Sequence, residues 1–241
     1  MMNNEVSSFM EELTEILNKY GKFLCYTRGI EFQKYSITKL EAFKKKSVTL
    51  KKEMTDNGHE ESANIMLSLQ EFLNAYIKEL EMLVFLKEDK MHEAWKSLVE
   101  SQYSLRSALQ ASDIVIGLGA ENRAKRLFLI EDLLFPSQTF VSIGVTAESS
   151  ECSVCGREYG KCNHVKGKPY MGELCCRVIT KIKKINEFSI LTKEPANKLS
   201  GIKSFLDKGH WRDLMTWRIN KCIESKAVDQ RIKYSEPESE R

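Results

Sequence analysis

The sequence predicts a mainly α protein, with an N-terminal helical bundle over residues 1–135 and a small α+β module over residues 136–222. Up to Leu134, apolar residues recur every three or four positions, which is the period of a buried helix face. After Pro136 the chain changes to short, alternating runs rich in β-branched residues, which are typical of strands. The segment 223–241 is polar and predicts a disordered tail.

Five helices account for the N-terminal part. The predicted helices cover residues 9–20, 31–54, 65–86, 94–109 and 120–134. The third has apolar residues around most of its circumference, which is typical of the central helix of a bundle. Gly21 ends the first helix, and Pro136 ends the last because proline cannot continue a helix.

Short strands are predicted in the second part. Residues 140–145 and 186–191 each alternate between apolar and polar side chains, whereas residues 177–179 fit either a strand or the start of a helix. Strands this short do not hold together alone, so the module needs another source of folding free energy. A bound metal ion would supply it, at roughly 10 kcal/mol.

Metal-ligand residues are concentrated between these strands. They are Cys152, Cys155, Cys162, His164 and Cys175, with Cys176 adjacent. A Cys-x-x-Cys-Gly turn directs two thiolates at one ion, because Gly156 permits a positive φ where the chain reverses. Since Zn²⁺ takes four N or S ligands, one of the five candidates does not bind the ion. We predict one structural zinc per chain, bound by Cys152, Cys155 and two of the other three.

Other interpretations of the cysteines are disulfides, a redox pair or iron–sulfur cluster, and unligated buried thiols. The first six residues contain neither the basic nor the apolar region of a signal peptide, which favours the cytoplasm, where thiols stay reduced. A thioredoxin-like pair needs a βαβ setting that the pattern does not provide. A catalytic zinc needs an open coordination position, and five candidate ligands favour a closed site. We therefore predict a cytoplasmic, zinc-binding protein.

Charge and hydropathy narrow the choice of partner. Residues 1–135 carry 18 Lys and Arg against 21 Asp and Glu, a net of −3, so the overall +3 leaves +6 for residues 136–241. This basic second half suits nucleic acid or an acidic protein, although +6 over that length is also typical of a solvated surface. No apolar run is long enough to span a bilayer, so we expect no membrane partner.

Part of the C-terminal half carries motifs of a known family. Ser142-Ile143-Gly144, then Glu187-Phe188-Ser189-Ile190-Leu191 and Pro195-Ala196-Asn197, resemble paired strand motifs of the prohead proteases, the capsid-maturation serine proteases of tailed phages. The resemblance spans about a quarter of the chain, and the helical half resembles no family. It implies a phage-derived or phage-related bacterial system, and antiviral defence is one such setting.

The same resemblance implies Ser142 as a nucleophile. A serine nucleophile needs a base within hydrogen-bond reach. No histidine stands on an upstream strand, because that region is predicted to be helical, and His164 is a metal candidate. We therefore favour a protein without enzymatic activity and keep a divergent serine protease as an alternative.

A second feature of the basic half is a pair of tryptophans among arginines. Trp211, Arg212 and Trp217 are side chains of the kind that anchor protein interfaces or stack on bases. At helical spacing Trp211, Leu214, Met215 and Arg218 share one face, as in a stripe that packs against the protein's own core. The leading hypothesis is a zinc-binding scaffold that recruits a protein partner. The alternatives are the protease and a nucleic-acid-binding protein.

Overall fold

The computed structural model describes residues 4–193, 195–207 and 209–220, and the side chain of residue 220 is not described. The predicted tail, 223–241, lies outside these residues. The mainly α class is confirmed. The five helices are α1 (Asn4–Gly21), α2 (Ile30–Asp56), α3 (Glu60–Lys87), α4 (Met91–Ala111) and α5 (Ala120–Leu134), with a short 3-10 helix at Asp113–Ile116.

Helix α3 is the centre of the helical part. Its apolar side chains surround the helix axis, and sixteen of its 28 residues are buried. It packs against α2 on one side and α4 on the other. The α3–α4 connection is short, with Asp89 at a φ of 58°, so the two helices run antiparallel.

Helix α5 is attached to α3 by a buried charge. Glu79 of α3 is fully buried, and its carboxylate pairs with Arg123 and Arg126 of α5, the latter at 2.9 Å. The Arg123 guanidinium also lies 3.5 Å from the centre of the Tyr76 ring. A buried carboxylate is tolerated only when it is paired, so this contact fixes the position of α5.

The sheet region is organised by a long two-stranded ribbon. Strand β1 (Phe140–Cys152) pairs with β4 (Arg177–Leu191) in antiparallel register, from Phe140 opposite Leu191 to Cys152 opposite Arg177. The predicted strand at 140–145 is confirmed but is longer than expected. Residues 177–179, which fitted either a strand or the start of a helix, and the predicted strand at 186–191 both belong to β4, so the prediction of two separate elements is wrong.

Two smaller sheets complete the region. Strands β2 (Pro169–Tyr170) and β3 (Glu173–Leu174) form a hairpin inside the loop that joins β1 to β4. Strands β5 (Ser204–Asp207), β6 (His210–Asp213) and β7 (Ile219–Asn220) form a three-stranded antiparallel sheet.

The sheet region shares a hydrophobic core with the helices. Phe140 and Met215 are buried in the same cluster as the side chains of α3 and α4, and Leu191 packs against it. The connection after β4 is held by α4, since Trp95 donates to the carbonyl of Lys198 and Tyr103 accepts from its backbone N–H. The end of the ribbon that contains Phe140 and Leu191 is therefore anchored on α4.

Residues 211–218 do not form a helix. Strand β6 ends at Asp213 and a turn follows, in which Trp217 has a φ of 59°. Of the four residues expected to share a helical face, only Met215 is in the core, and Trp211 is 47% exposed. The helical interpretation is wrong because the cross-strand contacts that form β6 come from residues 204–207, which local spacing does not reveal.

Among the described residues, no helix combines the length and the apolar character needed to cross a lipid bilayer.

Candidate metal centre

The Cys-x-x-Cys turn begins at the last residue of strand β1. Cys152 is buried at this position, and its backbone N–H donates to the carbonyl of Arg157 at 2.8 Å. The Gly156 N–H donates back to the Cys152 carbonyl at 2.9 Å, and Gly156 has a φ of 67°. A residue with a Cβ is strained at this φ, so glycine lets the turn close with both thiols on its inner side.

Four of the five candidate ligands come together. The Sγ atoms of Cys152, Cys155 and Cys162 and a ring nitrogen of His164 all lie within 4.8 Å of one another. The Cys152 Sγ is 3.6 Å from the His164 Nδ1. In a tetrahedral zinc site, Zn–S and Zn–N bonds of about 2.3 and 2.0 Å place neighbouring ligand atoms roughly 3.5–3.8 Å apart. This Cys₃His cluster has the donor atoms and spacing of a possible metal site.

Cys175 packs beside the cluster. Its Sγ lies 3.7 Å from the Cys152 Sγ and it is buried, but it is outside the set of four mutually close ligand atoms. Cys176 is exposed, and its N–H donates to the Ser153 hydroxyl. The geometry therefore favours Cys162 and His164 over Cys175 as the second pair of ligands.

The pKa values of the Cys152 and Cys175 thiols differ widely. Burial raises the pKa of Cys152, but N–H groups of the turn, from Cys155 and Val154, outweigh it and lower the pKa to about 7. Burial, together with the neighbouring Cys152 thiol, raises the pKa of Cys175 to about 11. Cys152 is therefore prepared to act as a thiolate ligand, whereas Cys175 favours the neutral thiol.

The pKa values of the other two thiols are shifted in opposite directions. The backbone N–H of Arg157 lowers the pKa of Cys155. At Cys162 the N–H of His164 also lowers the pKa, but burial and the thiols of Cys152 and Cys155 outweigh it and the pKa is raised. Three thiolates so close together repel one another unless a cation lies between them.

The loop that contains the cluster is attached to the helices. Thr55 of α2 donates to the carbonyl of Met171 at 3.1 Å, and the Gly172 N–H donates to the Asn64 side chain of α3 at 2.9 Å. Gly172 has a φ of 79°, and a Cβ there would meet the Lys51 side chain at 3.2 Å. The ribbon is therefore anchored at both ends, by Phe140 at one and by this turn at the other.

The three residues predicted to bind a partner lie on the β5–β6–β7 sheet. Trp217 is 58% exposed, and its ring packs edge-on against Phe205 at 6.4 Å between centres. Arg212 is opposite Phe205, so it belongs to this face, and it donates to the Asp207 carboxylate at 3.1 Å. Trp211 is opposite Leu206 and therefore belongs to the other face. The structure brings Arg212 and Trp217 together and separates Trp211 from them.

A His–Asp contact was not predicted from the sequence. The Nε2 of His92, in the first turn of α4, lies 2.6 Å from an Asp213 carboxylate oxygen at the end of β6. The other carboxylate oxygen accepts from the N–H groups of Met215 and Thr216. The two residues are 121 positions apart, so no local motif could have joined them.

Ser142 lies on β1 opposite Ser189, near the anchored end of the ribbon. The four histidines of the chain all fall within the described residues, and among these residues no hydrogen bond joins a histidine to Ser142. His164 belongs to the Cys₃His cluster and His92 pairs with Asp213. Ser142 as a nucleophile stays a prediction without an observed base.

The fold and the cluster define a mainly helical protein with a Cys₃His group at one end of a β-ribbon. Comparison with protein-family models, with curated proteins and with solved structures finds no match to this chain. The resemblance to prohead proteases therefore stays a prediction that rests on the sequence motifs.

Proposed function

We propose that this chain is a scaffold without enzymatic activity, in which a helical bundle carries a zinc module and presents a protein-binding surface. One structural zinc ion would be bound by Cys152, Cys155, Cys162 and His164. When bound, zinc supplies a cross-link between the turn after β1 and the arm that follows it, and it neutralises the thiolates. Four protein ligands fill a tetrahedral site, which supports a structural role for the ion.

The metal proposal is tested on the purified full chain. Elemental analysis should find about one zinc per chain, and thiol-blocking reagents should release it. Cobalt substitution should give the absorption of a tetrahedral site with mixed thiolate and imidazole ligands. A folded preparation without bound metal, or with its thiols oxidised in pairs, would contradict the proposal.

The proposed scaffold function is supported chiefly by exposed aromatic and arginine side chains on the β5–β6–β7 sheet. Phe205 and Trp217 are 37% and 58% exposed and pack edge-on against each other, and Arg212 lies opposite Phe205 on the same face. Tryptophan and arginine are the residue types that dominate binding energy in protein interfaces. An exposed tryptophan beside an arginine on one face of a small sheet therefore supports a site for a protein partner.

This surface is fixed relative to the helices. Asp213 pairs with His92, and Arg218 pairs with Asp89 at the α3–α4 turn, at 3.1 Å for one of its two bonds. Met215 is buried beneath the sheet and accepts from the Gln138 side chain. A surface held this firmly loses little conformational entropy on binding, which favours recognition by a rigid face.

The experiment compares proteins that co-purify with three forms of the chain from its native host. The variant Trp217→Ser should lose the partner that the native chain retains, because Trp217 lies on the face of Phe205 and Arg212. Tyr26→Ser is the matched control, because it removes an aromatic ring that is also 58% exposed but lies on the helical part. Loss of the same partner from both variants, or from neither, would contradict a site on the sheet.

A further inference from the structure

The β1–β4 ribbon has one apolar face and one polar face. Direct cross-strand partners point to the same side of a ribbon, and successive residues point to opposite sides. The apolar pairs are Val141–Ile190, Ile143–Phe188, Val145–Ile185 and Ala147–Ile182. The alternate pairs are Ser142–Ser189, Gly144–Glu187 and Thr146–Lys184. Register shifts after Gly144 and Thr146 keep the apolar residues on one side.

The apolar face is open to solvent. Six of its side chains are between 36% and 71% exposed: Val141, Ile143, Ile182, Ile185, Phe188 and Ile190. Within the described part of the chain, β1 and β4 contact chiefly each other between their two anchored ends. A two-stranded ribbon is marginal alone, and an apolar face of this length is normally covered by a second layer.

We propose that the covering layer is the same ribbon of a second copy of this chain, packed face to face about a twofold axis. This inference goes beyond the proposed function, because it uses a surface separate from the β5–β6–β7 sheet. The six large apolar side chains, each 36–71% exposed, present roughly 600 Å² per copy, which is about half of the smallest standard-size interface. Two copies would bury about 1,200 Å², which is the lower limit for a stable specific interface.

The order of side chains along the face fits an antiparallel arrangement of the two ribbons. With the axis at Ile185, each Ile185 contacts its equivalent in the second copy. Ile143 then lies opposite Ala147 of the second copy, so a large side chain meets a small one on β1. Interdigitation of large and small residues is what allows facing sheets to pack closely.

Charge also favours a second copy over an acidic partner such as nucleic acid. The eight residues of the four apolar pairs carry no charge. Lys184, which would attract phosphate, is paired with Thr146 on the opposite face, and Lys181 is 2.9 Å from Glu148. A partner attracted by lysines would therefore contact the polar face and leave the apolar face exposed.

The test measures the mass of the full chain, as purified, by sedimentation velocity from low to high micromolar concentration. The native chain should show a reversible monomer–dimer equilibrium. Ile185→Glu should weaken dimerisation at least about tenfold, because it places two like charges together at the axis. Thr146→Glu is the matched control, since it adds the same charge to the polar face of the same ribbon and should leave the equilibrium unchanged.

A charge-swap experiment distinguishes a lost interface from a misfolded variant. Ile185→Glu and Ile185→Lys should each be monomeric with unchanged zinc content and helical circular dichroism, and an equal mixture should form a heterodimer. A native chain that stays monomeric at every concentration would overturn the proposal. So would a dimer that Ile185→Glu does not weaken, or a monomer whose Ile185 face binds nucleic acid instead.

Discussion

Cys152 stands where strand β1 ends, and its thiol lies near two different candidates for the same ion. His164 Nδ1 is 3.6 Å away and Cys175 Sγ is 3.7 Å away, so both distances fit neighbouring ligands of zinc. The other two cysteines decide between these candidates, because His164 is close to both Cys155 and Cys162 and Cys175 is not. Mutual proximity of four atoms, rather than any single distance, therefore decides which residues are proposed as ligands.

The ligand assignment predicts different outcomes for two serine substitutions. Cys162→Ser should lower zinc affinity by more than about 100-fold, because loss of an outer hydrogen-bond partner of a ligand already costs 10–100-fold. Cys175→Ser should keep one zinc and lower the free energy of unfolding by about 1–2 kcal/mol, since a hydroxyl replaces a buried thiol. Competition with a chromogenic chelator measures the first effect, and urea unfolding measures the second.

Cys176→Ser is the control, since this cysteine is adjacent in sequence but exposed. It should change neither the zinc affinity nor the stability. Zinc loss from Cys175→Ser together with retention by Cys162→Ser would show that Cys175 is a ligand in place of Cys162.

The contact between Asp213 and His92 predicts that the attachment of β6 to α4 depends on pH. Burial raises the pKa of this carboxyl, but His92 and the Thr216 N–H outweigh it and lower the pKa below its usual value. A lowered carboxyl pKa contributes stability above its unfolded value of about 4, and the contribution is lost as pH falls through the folded value. The native chain should therefore exceed Asp213→Asn in stability at neutral pH, and the difference should shrink towards acid.

Thermal unfolding from pH 7 to pH 3 measures this difference. Asparagine can still accept from the Met215 and Thr216 N–H groups, so the variant isolates the His92 contact. Asp56→Asn is the control, since it removes an exposed carboxylate at the end of α2. A gap between Asp213→Asn and the native chain that is constant across this pH range would mean that the difference in stability does not come from ionisation of the Asp213 carboxyl.

At the scale of elements, the absence of a Cβ at Gly172 allows the loop that contains the Cys₃His cluster to approach α2 and α3 closely. A Cβ at this position would be strained by the φ of 79° and would also meet Lys51 at 3.2 Å and the Ala63 carbonyl at 3.4 Å. Gly172→Ala should destabilise the chain by about 1–3 kcal/mol. It should also increase amide exchange at residues 168–175, where the turn contacts the helices.

Gly160 provides the matched control, because its φ is 95° and a Cβ there would meet nothing within 4 Å. Gly160→Ala carries the backbone strain without the contact. Hydrogen exchange followed by mass spectrometry compares the two variants. Equal effects would show that backbone strain alone accounts for the change and that the docking of the turn does not depend on Gly172.

The elements differ in how much of them the sequence predicts. Each helix is formed by one continuous stretch of sequence. The 3.6-residue period therefore predicts both ends of α5, and it predicts the ends of the other helices to within five residues. The sequence pattern divides β4 in two because bulges at residues 180, 183 and 186 interrupt the alternation, and the pairing of β4 with β1 is not local. The cluster was predictable because its ligands lie within one short segment, whereas His92 and Asp213 are not.

At the scale of the whole molecule, one core connects the two halves. Phe140 and Met215 come from the sheet region but are buried among side chains of the helices. The loop that contains the Cys₃His cluster, in contrast, is joined to α2 and α3 by hydrogen bonds of Met171 and Gly172. Local spacing cannot show this difference, because both attachments are made between residues far apart in the chain.

Metal removal should therefore loosen the ribbon from one end only. A strong chelator should abolish exchange protection over residues 152–176, because the free thiolates repel one another and the loop has few apolar contacts. Protection at Phe140 and Leu191, and the helical circular dichroism, should remain because these groups are held by the shared core. Exchange measured with and without chelator tests this, and excess zinc should restore protection. Equal loss across the helices would mean that the ion stabilises the whole fold rather than the loop.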